Sequence, residues 1–218
     1  MKKNLIFFAA FLVLLAGCTK DVIRGSGAVI SDERNTPAFQ KIEFFGEGEV
    51  IVSFGNEQRV TVEGYQNLVP LFETQVVGNT LTLKYRHEYQ QIRNSNIRVH
   101  ITTPDIKGVI LNGSGDINFG SGFNGTDLSS EINGSGTIYS GNGKFVNLRV
   151  KINGSGNADL EKLVSDNAEA TINGSGTIRV LSFKSLKGKI AGSGTIHYSG
   201  NPLIVETEVN GSGRLVKH

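Results

Sequence analysis

One tetrapeptide constrains this chain more than any other feature. Asn-Gly-Ser-Gly occurs at 112–115, 133–136, 153–156, 173–176 and 210–213, with Ala191-Gly192-Ser193-Gly194 as a variant. The spacings are 21, 20, 20, 18 and 19 residues. A period near 20 marks a solenoid, in which each unit covers only its neighbours. The flanks repeat as well. An apolar residue precedes every motif (Leu111, Ile132, Ile152, Ile172, Ile190, Val209), and another follows two places after it (Ile117, Ile138, Ala158, Ile178, Ile196, Leu215).

Counting by twos from the first apolar residue lands on both glycines and then on the second apolar residue. In an extended chain these four share one face, while Asn and Ser share the other. On that reading the glycines face the interior, where the absence of Cβ lets backbones approach closely. On a second reading Asn-Gly makes a tight corner with positive φ. The sequence leaves both open. A further stretch in each repeat alternates, as in Leu148-Arg149-Val150-Lys151-Ile152, Ala168/Ala170/Ile172 and Val205/Thr207/Val209. Twenty extended residues reach at most about 66–70 Å, enough for one narrow coil. Residues 108–218 are therefore expected to form an all-β fold, a parallel β-solenoid of about five coils stacked by strand pairing. No apolar pattern of helical period runs through this half.

Residues 38–107 read as a strand-rich part continuous with the solenoid, with strands at 41–44, 50–52, 59–62, 80–85 and 97–101. Gly78-Asn79 predicts a hairpin turn. Residues 67–73 are the best place for a short helical turn, limited by Pro70. Phe44-Phe45-Gly46-Glu47-Gly48-Glu49-Val50 repeats the parity of the motif and predicts an imperfect coil of the same kind. Residues 18–37 are expected to be a tether and first turn.

Residues 1–17 read as a signal peptide: Lys2-Lys3, then an apolar run of 12 residues from Leu5 to Ala16, too short to span a bilayer as a helix. Leu15-Ala16-Gly17-Cys18 resembles the lipobox of bacterial lipoproteins, which implies cleavage before Cys18 and acylation of its thiol. An ordinary signal peptide with an incidental cysteine is the alternative. Cys18 is the chain's single cysteine, so no intramolecular disulfide can form. Several acyl chains give firm anchoring, and the membrane is the expected partner through Cys18. Thr19 is not the aspartate that retains some lipoproteins at the inner membrane, which points to the outer membrane of a Gram-negative bacterium. Cys18-Thr19-Lys20-Asp21 partly resembles a surface-export signal, broken at Val22.

The formal charge of the whole chain is +2. Removing Lys2 and Lys3 leaves 20 basic and 20 acidic residues, a net of zero. With no basic excess or cluster, nucleic acid is not an expected partner.

Gly25-Ser26-Gly27-Ala28-Val29, Phe39-Gln40-Lys41-Ile42 with Gly46-x-Gly48, Val60-Thr61-Val62-Glu63-Gly64, Asn79-Thr80-Leu81 and the Gly-Ser-Gly array together resemble the head GIN domain family of auto-transporter adhesins. The resemblance covers about residues 25–213. It implies a β-helical protein, secreted or surface-anchored, and brings no catalytic or binding residues.

Stacked coils would align Asn112, Asn133, Asn153, Asn173 and Asn210 into one polar column. Ser114, Ser135, Ser155, Ser175, Ser193 and Ser212 would form another. Such columns can bind a glycan or an ordered surface, but repeat positions more often serve stacking, and stacked Asn side chains bond along the axis. Tyr65, Tyr85 and Tyr89 beside Arg86 and His87 offer a second contact surface, against the simpler reading of half-buried strand aromatics.

Other motifs lead nowhere. The run 120–125 formally fits GxGxxG, but no helix or βαβ pattern follows it. The calcium β-roll needs a recurrent Asp where this chain has Asp116, Thr137, Asn157, Thr177, Thr195 and Arg214. His87, His100, His197 and His218 have no ligand spacing such as HxxxH, so neither metal nor cofactor is expected. Asp127, Asp159 and Asp166 do not recur at the period as the paired carboxylates of a β-helix carbohydrate enzyme would. The expectation is a non-enzymatic adhesin or binding module for a glycan or protein. The alternatives are an envelope-homeostasis lipoprotein without a dedicated ligand and, less favoured, a carbohydrate-active enzyme.

Overall fold

The computed structural model describes residues 22–86 and 91–218. Its N-terminal strands are β1 (Ile23–Arg24), β2 (Val29–Arg34), β3 (Lys41–Gly46), β4 (Glu49–Phe54), β5 (Arg59–Tyr65), β6 (Phe72–Val77), β7 (Thr80–Tyr85), β8 (Ile92–Arg93) and β9 (Arg98–Thr103). The repeat supplies β10 (Gly108–Gly113), β11 (Asp116–Phe119), β12 (Asn124–Gly134), β13 (Thr137–Ser140), β14 (Gly143–Gly154), β15 (Asn157–Gly174), β16 (Thr177–Gly192), β17 (Thr195–Ser199), β18 (Ile204–Gly211) and β19 (Arg214–Lys217).

Every coil contributes to two parallel walls. The segments ending in Asn-Gly stack as the first wall: β10, β12, β14, the ends of β15 and β16, and β18. The segments that follow each motif stack as the second wall: β11, β13, the starts of β15 and β16, then β17 and β19. Register is strict. Leu111, Ile132, Ile152, Ile172, Ile190 and Val209 align on the first wall, and Ile117, Ile138, Ala158, Ile178, Ile196 and Leu215 on the second. Both rows point inward, and all their members but those of the last coil are buried. Burying one Ile or Leu side chain is worth about 1.5–3 kcal/mol, so these two rows supply much of the stacking energy.

The motif glycines divide the two roles that the sequence left open. The first glycine of each motif has φ between 129° and 144° (Gly113, Gly134, Gly154, Gly174, Gly192, Gly211), the conformation that turns the corner. A Cβ on it would strike the carbonyl oxygen of the equivalent glycine one coil earlier. That oxygen is held in place by the next corner: Gly134 O accepts from Ser155 N at 3.0 Å and Gly156 N at 3.1 Å. The second glycine has ordinary φ and faces inward. On Gly176 a Cβ would sit 2.6 Å from Gly156 O and 2.9 Å from Ile152 Cγ2, the space into which the preceding coil's isoleucine leans.

The imperfect coil exists. β3 pairs with β10 and β4 with β11, both parallel, and Gly46 falls in register with Gly113. The six corners of the repeat bound the five coils expected of residues 108–218, and the rung at Gly46 brings the stack to seven. Beyond that first rung, β7 adds to β3 and β9 to β4, still parallel. Direction then reverses, with β6 antiparallel to β7, β5 to β9, and β2 to β5. This reversal caps the solenoid.

The hairpin turn at Gly78-Asn79 joins β6 to β7, and the helical turn is a single 3-10 turn at Val69–Leu71. In the stretch expected to be a tether and first turn, Val29–Arg34 instead forms a strand on the cap. It is held by backbone pairing, and its Val29 and Ile30 stay exposed, so no apolar alternation announces it.

Gly174→Val, which violates both space and φ, should lower stability by about 3 kcal/mol or more. Gly78→Ala, in open space at φ 60°, should cost about 1–2 kcal/mol. Paired thermal melts check the ranking. A Gly174→Val protein that melts with wild type contradicts the corner account.

Candidate functional site

From Asn112 to Asn173 the asparagine column is a continuous hydrogen-bonded ladder. Asn173 Nδ2 donates to Asn153 Oδ1 (2.8 Å), Asn153 Nδ2 to Asn133 Oδ1 (2.7 Å) and Asn133 Nδ2 to Asn112 Oδ1 (2.9 Å). Asn112 Nδ2 then donates to Glu43 Oε1 at 3.1 Å. All four amides point the same way along the axis, and the series ends on a carboxylate, a group that only accepts when ionised. Ala191 interrupts the column between Asn173 and Asn210. The serine column (Ser114, Ser135, Ser155, Ser175, Ser193, Ser212) is exposed throughout. Ser212 Oγ donates to Ser193 Oγ at 3.1 Å.

A second ladder, not singled out in the sequence, runs beside the first. Ser185 Oγ donates to Asn167 Oδ1 (2.8 Å), Asn167 Nδ2 to Asn147 Oδ1 (3.1 Å) and Asn147 Nδ2 to Asp127 Oδ1 (3.0 Å). It has the same polarity and the same carboxylate end. Its signal was present as Asp127, Asn147 and Asn167, each 20 residues apart. So Asp127, which looked isolated, terminates a periodic column.

Several charged side chains of the first wall are also paired with one another. Arg149 lies between Asp127 (3.7 Å) and Glu169 (3.8 Å), Lys151 meets Glu131 (3.1 Å), and Lys189 meets Glu208 (3.6 Å). Exposed pairs of this kind contribute little stability each. They do leave the wall charge-compensated.

The second wall differs. Its outward positions align as Asp116, Thr137, Asn157, Thr177, Thr195 and Arg214, and as Asn118, Tyr139, Asp159, Arg179, His197 and Val216. Tyr139 is 46% exposed. It stands in a surface recess of about 530 Å³ whose lining includes Asn118, Ser121, Asp159 and Lys162. A second groove, about 540 Å³, lies where the cap meets the first corners and gathers Glu49, Glu63, Asp116 and Arg98. The Arg98 guanidinium sits 3.4 Å from Glu49 and 3.9 Å from Glu63, so one cation engages both glutamates.

The histidines are not all apart. Residues 197 and 218 are separated by one coil, which places them on neighbouring rungs with Nδ1 and Nε2 2.6 Å apart. Partial burial, helped by Arg179 and His218, holds His197 below its ordinary pKa of 6.5. Among the described residues no three His, Cys, Asp or Glu side chains are grouped to hold a metal ion. His100 pairs with Glu63 at 3.9 Å.

Tyr65 and Tyr85 pack partly against the core. Tyr85 stacks edge-on to Phe72 and shares a 2.9 Å hydrogen bond with Ser95, while burial pushes its hydroxyl pKa up. Arg86 is paired with Glu73. Cys18, His87 and Tyr89 lie outside the described residues. The run 120–125 bends at Ser121, carries positive φ at Gly122 and leads into β12, not into a helix.

A family model described as "Putative auto-transporter adhesin, head GIN domain" matches residues 38–202. Three solved structures share the fold. A "putative adhesin" from Bacteroides fragilis NCTC 9343 is 23% identical, with a TM-score of 0.77 over 90% of this chain and 100% of that one. A "putative lipid binding protein" from Parabacteroides distasonis ATCC 8503 is 21% identical, with a TM-score of 0.57 over 91% and 100%. A "putative adhesin" from Parabacteroides merdae ATCC 43184 is 18% identical, with a TM-score of 0.53 over 91% and 99%. No curated protein matches the chain.

Asn153→Ala removes two donated bonds and one accepted bond and should cost about 1–3 kcal/mol. That lowers the melting temperature by several degrees. Asn210→Ala, beyond the break at Ala191, should stay within about 0.5 kcal/mol. Equal melting shifts for the two variants contradict the ladder.

Proposed function

The chain belongs to the head GIN domain family, and from that premise we propose that it is a non-enzymatic adhesin, or ligand-binding module, held on the outer membrane by acylation of Cys18. The observation that carries this reading is the in-register stack of seven rungs. It holds outward side chains in fixed columns on a rigid scaffold. Many weak contacts along such a repetitive face add up by effective concentration, so no single deep pocket is needed. Only four residues separate Cys18 from β1, a reach of about 14 Å, which keeps the capped end of the solenoid close to the bilayer. The proposed partners are a glycan or a protein met at the cell envelope, with exposure on the outer face as the finer expectation.

A second reading has one observation in its favour. The asparagine side chains are spent on one another, so those columns serve the fold. On that basis the protein is an envelope-homeostasis lipoprotein with no dedicated ligand. Catalysis is set aside on the chemistry of the groove. A glycosidase needs one carboxyl as acid and another as base or nucleophile, whereas Glu49 and Glu63 are both drawn to Arg98.

Cell fractionation and glycan or matrix-protein arrays test the proposal together. Wild type should travel with the outer membrane and incorporate labelled fatty acid. Cys18→Ser should lose the label and become soluble, with the fold unchanged. The mature protein should bind at least one glycan or matrix protein on the array. A wild-type protein without label contradicts the anchor, and silence across both arrays contradicts the adhesin in favour of the second reading.

A further inference from the structure

We propose that the recess around Tyr139 on the second wall is a subsite for a neutral saccharide, an assignment that rests on the adhesin reading and names its ligand class. Three neighbouring rungs build it. Asn118 of β11, Tyr139 of β13 and Asp159 of β15 are in direct register, so their side chains leave the same wall one above another. Rungs are about 4.8 Å apart, so the Asn118–Asp159 span is about 10 Å. Ser121, on the bend after β11, and Lys162, where β15 is irregular between Leu160 and Val164, complete the lining of the 530 Å³ recess. A Cβ on Gly141 would sit 2.6 Å from Ser121 N, so the glycine at that turn lets it pack directly on the turn of the preceding coil.

What marks this place is unspent hydrogen-bonding capacity gathered around one exposed aromatic ring. On the first wall the ladder amides donate to one another and Arg149, Lys151 and Lys189 are paired with carboxylates. Here the amide of Asn118, the phenol of Tyr139, the carboxylate of Asp159 and the ammonium of Lys162 have no side-chain partner among the described residues. They surround an aromatic ring that is nearly half exposed on a rigid strand. A pyranose uses this combination. Its C–H face is apolar and covers an aromatic ring, while its ring of hydroxyls needs planar acceptors and donors at the rim. Asp159 and Lys162 balance in charge, which favours an uncharged sugar over a uronate. A nucleic acid would meet Asp159, and a lipid chain would leave four polar groups unpaired. A protein partner would want a wider apolar core than one tyrosine.

The test is saturation-transfer NMR on the full mature chain with maltotriose, cellotriose, mannotriose and chitotriose, and a galacturonate trimer as the charged arm. At least one neutral trisaccharide should show transfer and a millimolar Kd, more tightly bound than the galacturonate. Tyr139→Ala and Asp159→Ala should each weaken it about tenfold. Tyr139→Phe, which keeps the ring, should stay within about threefold, and Lys187→Ala on the first wall should match wild type. Because all three positions are on the surface, unchanged melting temperatures show that folding is not the cause. No transfer from any neutral trisaccharide overturns the assignment, as does binding that Tyr139→Ala leaves intact. If the protein nevertheless binds a glycan or matrix protein on the arrays, the adhesin reading survives without this subsite. If the arrays are silent too, both fall.

Discussion

The contact on which the rest of this structure depends is a carbonyl oxygen aimed at a glycine. At each corner of the solenoid the first motif glycine turns the chain with positive φ, and its C=O points along the axis to the next coil. Amide groups of the next corner converge on that oxygen, so strand pairing continues through the bend. Any Cβ at that position would occupy the oxygen's place. The second glycine solves a different problem, giving the isoleucine of the preceding coil room to pack. A corner built this way must recur wherever the chain completes a coil, which is why the glycines are periodic.

The polar side chains divide along the same geometry. On the first wall, the amides from Asn112 to Asn173 and from Asn147 to Asn167 bond within the molecule, in two ladders of equal polarity that each end on a carboxylate. A ladder of primary amides leaves an unmatched donor at one end, and Glu43 and Asp127 accept it. The second wall lacks this internal closure around Tyr139, so its polar groups face outward with capacity to spare. The fold thus separates side chains that hold coils together from side chains that can meet a partner.

Much of this was legible in the sequence because a solenoid writes its geometry as a period. The apolar residues on either side of Asn-Gly-Ser-Gly marked both inner rows, and the parity of Phe44 to Val50 marked the extra rung. What escaped has physical reasons. The strand Val29–Arg34 is antiparallel and exposed, so it shows no apolar alternation. The division of labour between the two glycines is a matter of φ, which residue type does not encode. The contact between His197 and His218 and the register of Asn118, Tyr139 and Asp159 follow from adding one coil length. Searching for local ligand spacings hides such pairs, because on a solenoid near neighbours are about 20 residues apart.

The corner amides test the central claim most directly. Ser135, Ser155, Ser175 and Ser193 have exposed side chains and sit in a glycine-rich stretch that resembles a surface loop. Their N–H groups nevertheless donate to the glycine carbonyl of the preceding coil, at 2.9–3.1 Å. Residue-resolved amide hydrogen exchange should find them protected to the same degree as the strand amides of Ile152 and Ile172, opening only with the coil stack as a whole. Exchange at the rate of an unstructured loop, with the strands still protected, would contradict the account, because the corners would then be linkers between strands rather than the ladder that sets their register.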